Sequence, residues 1–149
     1  MKFNISLAIL SSLLFFCCAP EKDKIDRELS DIKDPKVLQY AIEGKILYEN
    51  YCANCHQNDG TGLGKLIPPL KGSDYMENDP GKTVRIIKHG LRGEITVNGQ
   101  LYNQPMPANP NLTNMEIAQI VTYIYNIWGN EAGVVDGKKV AEYLETKKE

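Results

Sequence analysis

Hydrophobic and polar positions divide the chain into parts with different patterns. Ile5 to Phe16 is an apolar run of twelve residues, broken only by serines, behind a single Lys2. A bilayer span needs ~20 apolar residues, so this run matches the core of a secretory signal instead. Glu21 to Lys33 alternates in charge with few apolar anchors and reads as a tether or frayed helix. Pro35 suits the first turn of a helix, and Val37, Leu38, Ala41, Ile42, Leu47 and Tyr48 recur at helical spacing up to Cys52. Gly44 lies inside that helix, where it costs ~1 kcal/mol relative to alanine. It is either a weak spot between two turns or the point where another helix crosses. A loop rich in breakers follows: Gly60, Gly62, Gly64, Pro68, Pro69 and Gly72. Pro80-Gly81 opens a short helix through Ile87 that Gly90 closes. Ile95 to Tyr102 predicts a small hairpin turning at Asn98-Gly99. Thr113-Asn114-Met115-Glu116 is a capping box opening the most strongly patterned helix, which Gly129 ends. Gln119, Thr122 and Asn126 interrupt its apolar positions, so it reads as an amphipathic core helix and not a membrane span. The remainder is a charged tail, with at most a helix from Asp136. These boundaries give a signal segment 1–18, a tether 19–34, one domain 35–130 and a tail 131–149.

Charge changes this picture little. Residues 19–33 hold five acidic and four basic side chains, 34–130 hold nine and eight, and 131–149 hold five and four. Each part is net −1, so none offers the basic face that nucleic acid requires. The signal segment ends in Cys17-Cys18-Ala19-Pro20 and has no Ala-x-Ala cleavage site. Leu14-Phe15-Phe16-Cys17-Cys18 resembles a bacterial lipoprotein signal, in which a cysteine after apolar and small residues is lipidated. Cys18 is the better candidate, because the small Cys17 would then precede the cut; Cys17 stays open. The resemblance implies an exported protein, lipid-anchored at the periplasmic face of a bacterial membrane.

Cys52-Ala53-Asn54-Cys55-His56 carries the chemistry. With four cysteines and two histidines in 149 residues, this pattern arises by chance on the order of once in a thousand such chains. Two cysteines three apart on a helical turn can each form a thioether to a porphyrin vinyl group. The next residue then lies under the ring, where the His56 imidazole can bind iron, so the motif reads as c-type haem attachment. The rival readings are weaker. A redox dithiol wants a βαβ context that this chain lacks. A zinc site needs four ligands, and outside the signal there are two cysteines and one further histidine, His89. A structural disulfide would leave His56 idle.

An electron-carrying haem iron needs a second axial ligand, and a methionine raises its potential relative to histidine. Met76, Met106, Met115 and His89 are the candidates. Met115 falls in the first turn of the capped helix, His89 at a solvated helix end, and Met76 among polar residues that read as loop surface. Met106 is bracketed by Pro105 and Pro107, which fix an extended backbone on both sides and hold the thioether at small entropic cost. The axial pair read from the sequence is therefore His56 and Met106.

These motifs, with Gly60-Thr61-Gly62, Pro68-Pro69-Leu70-Lys71-Gly72 and Ile127-Trp128-Gly129-Asn130, resemble a class I cytochrome c over about residues 37 to 130. Val97-Asn98-Gly99 through Met106 and onward to Trp128 is similar to cytochrome domains attached to quinoprotein dehydrogenases and copper nitrite reductases. The resemblance implies an all-α fold, three to four helices around one covalent haem, with a short hairpin insertion. It implies that the first and last long helices cross beside the haem, with Gly44 opposite Tyr123 or a neighbour. It further implies that the Pro68 carbonyl accepts the His56 Nδ1–H, that Leu70 packs on the ring, and that Tyr102 and Trp128 approach the haem or its propionates. The implied function is single-electron transfer between redox protein partners, with no catalysis of its own. Two alternatives remain: a haem subunit fixed in a dehydrogenase, reductase or oxidase complex, and a gas sensor in which Met106 does not hold the iron.

Overall fold

A computed structural model describes residues 28–77, 79–129 and 131–146. The signal segment, with Cys17 and Cys18, lies outside the described residues, as does the tether up to residue 27. Among the described residues, five helices and one small sheet follow in order: α1 Pro35–Tyr51, α2 Ala53–His56, α3 Pro80–His89, β1 Ile95–Val97, β2 Gln100–Tyr102, α4 Asn114–Ile124 and α5 Gly137–Glu145. The described residues also form 3₁₀ turns at Leu29–Asp31 and Asp74–Met76. Among the described residues no helix is long and apolar enough to cross a membrane.

Each long helix begins where a polar side chain satisfies its first free N–H groups. The Asp34 carboxylate accepts from Lys36 N (2.8 Å) and Val37 N (3.1 Å), with Pro35 at the first position. Asp79 accepts from Lys82 N (2.9 Å), and Asp136 accepts from Lys139 N (2.9 Å). At α4 the box is reciprocal: Thr113 Oγ1 accepts from Glu116 N, and the Glu116 carboxylate accepts from Thr113 N at 2.8 Å.

α1 buries Val37, Ala41, Gly44 and Tyr48, a single stripe that lies across α4. Ile42 falls off that stripe and is exposed, which corrects its place in the helical pattern. An alanine Cβ at Gly44 would come within 2.8 Å of the Tyr123 Cβ and overlap the Gln119 carbonyl, so Gly44 is the crossing point. α4 is buried on nearly all sides from Ile117 to Ile124. Its regular part stops at Ile124, five residues before Gly129, and Tyr125 to Gly129 continue as turns.

The body extends beyond 35–130 at both ends. Ile32 and Leu29 pack on the core before α1, and α5 buries Val140 against α3 and α4. The segment before α5 is joined to α4 by hydrogen bonds. Thr122 Oγ1 donates to Val135 O (3.2 Å) and accepts from Val135 N (3.1 Å). Asn126 Nδ2 donates to Gly133 O (2.7 Å), and Asn126 Oδ1 accepts from Gly133 N (3.0 Å). Thr122 and Asn126, which interrupt the apolar pattern in sequence, are therefore buried polar groups satisfied by the tail.

The sheet is one antiparallel hairpin pairing Ile95 with Tyr102 and Val97 with Gln100. Asn98 and Gly99 both have positive φ, 50° and 76°, as a type I′ turn requires.

Candidate haem site

The turn after α1 places the attachment residues. The chain kinks at Cys52, and α2 then brings Cys55 one turn further on, with Cys55 N and His56 N both donating to Cys52 O (3.1 and 2.9 Å). Cys52 is partly buried and lines a cavity, while Cys55 is exposed beside it; both are free thiols. Burial, and then the neighbouring Cys55, push the Cys52 thiol up to about 12, so in this state it is a neutral thiol.

His56 is buried. Its Nδ1 lies 3.1 Å from the Pro68 carbonyl oxygen, an acceptor only, so Nδ1 carries the proton and Nε2 keeps its lone pair for a metal. Burial lowers the pKa of this imidazole, and the Pro68 carbonyl partly opposes that. The loop that delivers Pro68 is folded back on itself. Gly62 N donates to His56 O (3.0 Å), and Leu70 N and Lys71 N both donate to Gly60 O (2.8 and 3.0 Å). Gly60 and Gly62 have φ near 70°, and any Cβ would strike the Trp128 ring at the first and the Pro68 carbonyl at the second.

A cavity opens beside His56, and sites that receive a cofactor are concave and mostly apolar. Its walls are mostly apolar: Leu70 and the two prolines on one side, Ile86, Ile87 and Leu91 from α3 and beyond, Ile95 and Val97 from β1, Ile120 and Ile124 from α4. His56, Cys52 and Met106 border the same space.

Met106 sits there because its backbone is pinned. It forms an isolated bridge with Leu91, donating at 2.9 Å and accepting at 3.0 Å. Lys88 Nζ donates to the carbonyls of Pro110 (2.9 Å) and Leu112 (2.7 Å), and Asn109 N donates to Ile87 O (3.1 Å). The loop carrying the thioether is thus anchored to the end of α3. The sequence reading missed Lys88 and Asn109, because their partners are backbone carbonyls and leave no residue pattern.

The other candidate ligands separate cleanly. His89 and Met115 are exposed and do not line the cavity. Met76 is the correction: read as loop surface, it is 8% exposed and borders the cavity. The 3₁₀ turn rotates it inward, and its carbonyl accepts from the buried Tyr125 hydroxyl at 2.7 Å. Tyr102 and Trp128 do not border the cavity. The Tyr102 hydroxyl donates to Gly64 O (3.2 Å), tying the hairpin to the loop. Trp128 stands edge-on to Tyr48 and Tyr123, with ring centroids 5.8 and 5.9 Å away, and covers Gly60.

The donor set suits a c-type haem: two free thiols three residues apart, an imidazole held in one tautomer, a thioether, and an apolar space to receive the ring. The cytochrome c family model matches residues 41–128. Cytochrome c-552 of Thermus thermophilus is 35% identical over 110 residues, covering 71% of this chain and 82% of the relative. The cytochrome c subunit of the quinone alcohol dehydrogenase of Gluconacetobacter polyoxogenes is 32% identical over 110 residues, which is 71% of this chain and 23% of that subunit. The cytochrome c subunit of gluconate 2-dehydrogenase from Pantoea cypripedii is 34% identical over 104 residues, 66% of this chain and 23% of that one. With more than half of its length matched, the chain belongs to the cytochrome c family, whose members carry a covalently attached c-type haem and transfer electrons.

Proposed function

We propose that this protein is an exported single-electron carrier whose haem is tethered by Cys52 and Cys55 and held axially by His56 Nε2 and Met106 Sδ. The observation that carries the assignment is that His56, with its tautomer set, and Met106, with its backbone pinned, border one apolar cavity. When bound, the haem supplies one-electron iron chemistry. The side chains do the rest. Pro68 orients the imidazole, the Leu91 bridge and the Lys88 contacts hold the thioether within reach, and the apolar walls exclude water. With both axial positions taken by protein, no place is left for a substrate.

Acid–acetone extraction and an optical spectrum test this reading. The haem should stay on the polypeptide, the ferric protein should show the weak red-end band of a sulfur–iron bond, and the reduced protein should refuse carbon monoxide. Haem released into the organic layer would defeat covalent attachment. Ready binding of carbon monoxide would instead favour a gas sensor.

The membrane anchor at Cys18 or Cys17 and the periplasmic location rest on the signal segment alone. Mass spectrometry of the mature N-terminus decides them, an unmodified N-terminus at Ala19 or later being the adverse result. The second reading, a haem subunit of a dehydrogenase complex, is favoured by the similarity to cytochrome subunits of quinone alcohol dehydrogenase and gluconate 2-dehydrogenase. Copurification with a dehydrogenase at fixed stoichiometry would support it over a diffusing carrier.

A further inference from the structure

Asn98 is the one asparagine of the chain that precedes a glycine. In that pairing the Gly99 backbone nitrogen has no side chain beside it, so it can attack the Asn98 carboxamide carbon and close a five-membered imide. The side-chain nitrogen leaves as ammonia, taking the proton of the Gly99 N–H. Water then opens the ring at either carbonyl, giving aspartate or isoaspartate, in which the chain runs through the side-chain carboxyl. One water enters and one ammonia departs, with no oxidant, reductant or cofactor.

The attack requires a carboxamide free to swing toward Gly99 N, and the fold ties it elsewhere. Asn98 Oδ1 accepts from Asp74 N (3.0 Å), and Asn98 Nδ2 donates to Gly72 O (2.9 Å), partners 24 and 26 positions earlier. Asn98 N donates to Asp74 Oδ1 at 2.7 Å, so the backbone is held from the same side. Both ends of the carboxamide are thus committed to the 72–74 turn. All three bonds are exposed, and the hairpin is two three-residue strands. Lifting the hairpin tip therefore breaks them without unfolding the core.

We propose that Asn98 is a modification site gated by this clasp. Clasped, its carboxamide is withheld from Gly99; unclasped, it converts, and the product bars the clasp from re-forming. The donor inventory gives the reason. The amide offers an N–H to the Gly72 carbonyl, whereas an ionised carboxylate has acceptors only. Aspartate there sets an oxygen against the Gly72 carbonyl and a negative charge beside the Asp74 carboxylate. Isoaspartate adds a backbone atom to a two-residue turn whose register is set by Val97 pairing with Gln100. The stretch released by conversion leads into the 3₁₀ turn Asp74–Met76, which brings Met76 to the cavity wall. Conversion is then a one-way step that separates the hairpin from that wall.

The holoprotein is held in warm, mildly alkaline buffer, and peptide mass spectrometry follows the gain of one mass unit at Asn98-Gly99. Folded wild type should convert many-fold more slowly than a synthetic peptide spanning residues 93–103. Asp74→Ala removes the bond to Asn98 N and should speed conversion several-fold, while the exposed Asn103 serves as an internal control and keeps its rate. Asn98→Asp writes the product into the chain and should lower the unfolding midpoint more than Asn98→Gly, which drops the clasp without adding charge. Conversion in folded wild type as fast as in the peptide, or Asp74→Ala converting at the wild-type rate, would overturn the gating. An Asn98→Asp protein as stable as wild type would overturn the one-way step. Should Asp74→Ala fail to fold, the comparison of folded wild type with the peptide decides the first limb and Asn98→Asp the second.

Discussion

Met106 is placed by its backbone, through the bridge to Leu91 and the Lys88 and Asn109 contacts beyond it. Truncating its side chain should therefore leave the loop where it is and remove the ligand alone. Met106→Ala should lose the red-end band, bind carbon monoxide when reduced, and fall in potential, because a thioether favours ferrous iron more than the ligands that would replace it. Met76 faces the same cavity and separates ligation from packing. Met76→Ala should keep the band but cost ~2–5 kcal/mol of stability, the usual range for emptying a buried methionine position. Denaturant titration and optical spectra of the two variants decide the matter. A band that survives in Met106→Ala and vanishes in Met76→Ala exchanges their roles.

Between elements, the α1–α4 crossing is the contact least able to yield. Alanine at Gly44 improves helix propensity by ~1 kcal/mol, yet its methyl would press on the Gln119 carbonyl, which belongs to backbone and cannot rotate aside. Overpacking costs of ~1–3 kcal/mol should prevail, so Gly44→Ala is expected to lower the unfolding midpoint. At the start of α4, the Thr113 backbone N–H and then its hydroxyl hold the Glu116 carboxyl below its ordinary value of 4.5. A depressed carboxylate pKa stabilises above that value and loses its contribution as the pH falls. Glu116→Gln should therefore flatten the stability loss below about pH 4.5, checked by thermal unfolding across pH. Elements with local signatures were legible in the sequence: the proline-started helices, the Thr113–Glu116 capping box and the Asn98-Gly99 hairpin. What was not legible depends on distant partners. Met76 turns inward because Tyr125 holds its carbonyl, and Thr122 and Asn126 are buried because residues 133–135 return to them. No spacing rule encodes either.

At the scale of the molecule, the tail is part of the body. Val140 is fully buried, Tyr143 packs where Gly81 leaves room, and Arg85 donates to the Tyr143 carbonyl at 3.2 Å. A chain stopped after residue 130 should unfold at a markedly lower temperature while keeping the red-end band, because α5 lines no part of the cavity. Loss of the band would show that α5 supports the site through α3. Time enters through the Gly44 crossing. Its partners stand roughly 75 positions apart, 44 against 119, so the contact closes only when nearly the whole chain is available. Cys52 to His56 lie inside the loop that this contact closes, and Ile120 and Ile124 of α4 form one wall of the cavity. A chain still waiting for α4 leaves that wall open, with both thiols and the imidazole accessible to whatever joins them to haem. Docking of α4 completes that wall, so haem attachment is expected to be easier before α4 packs than after it.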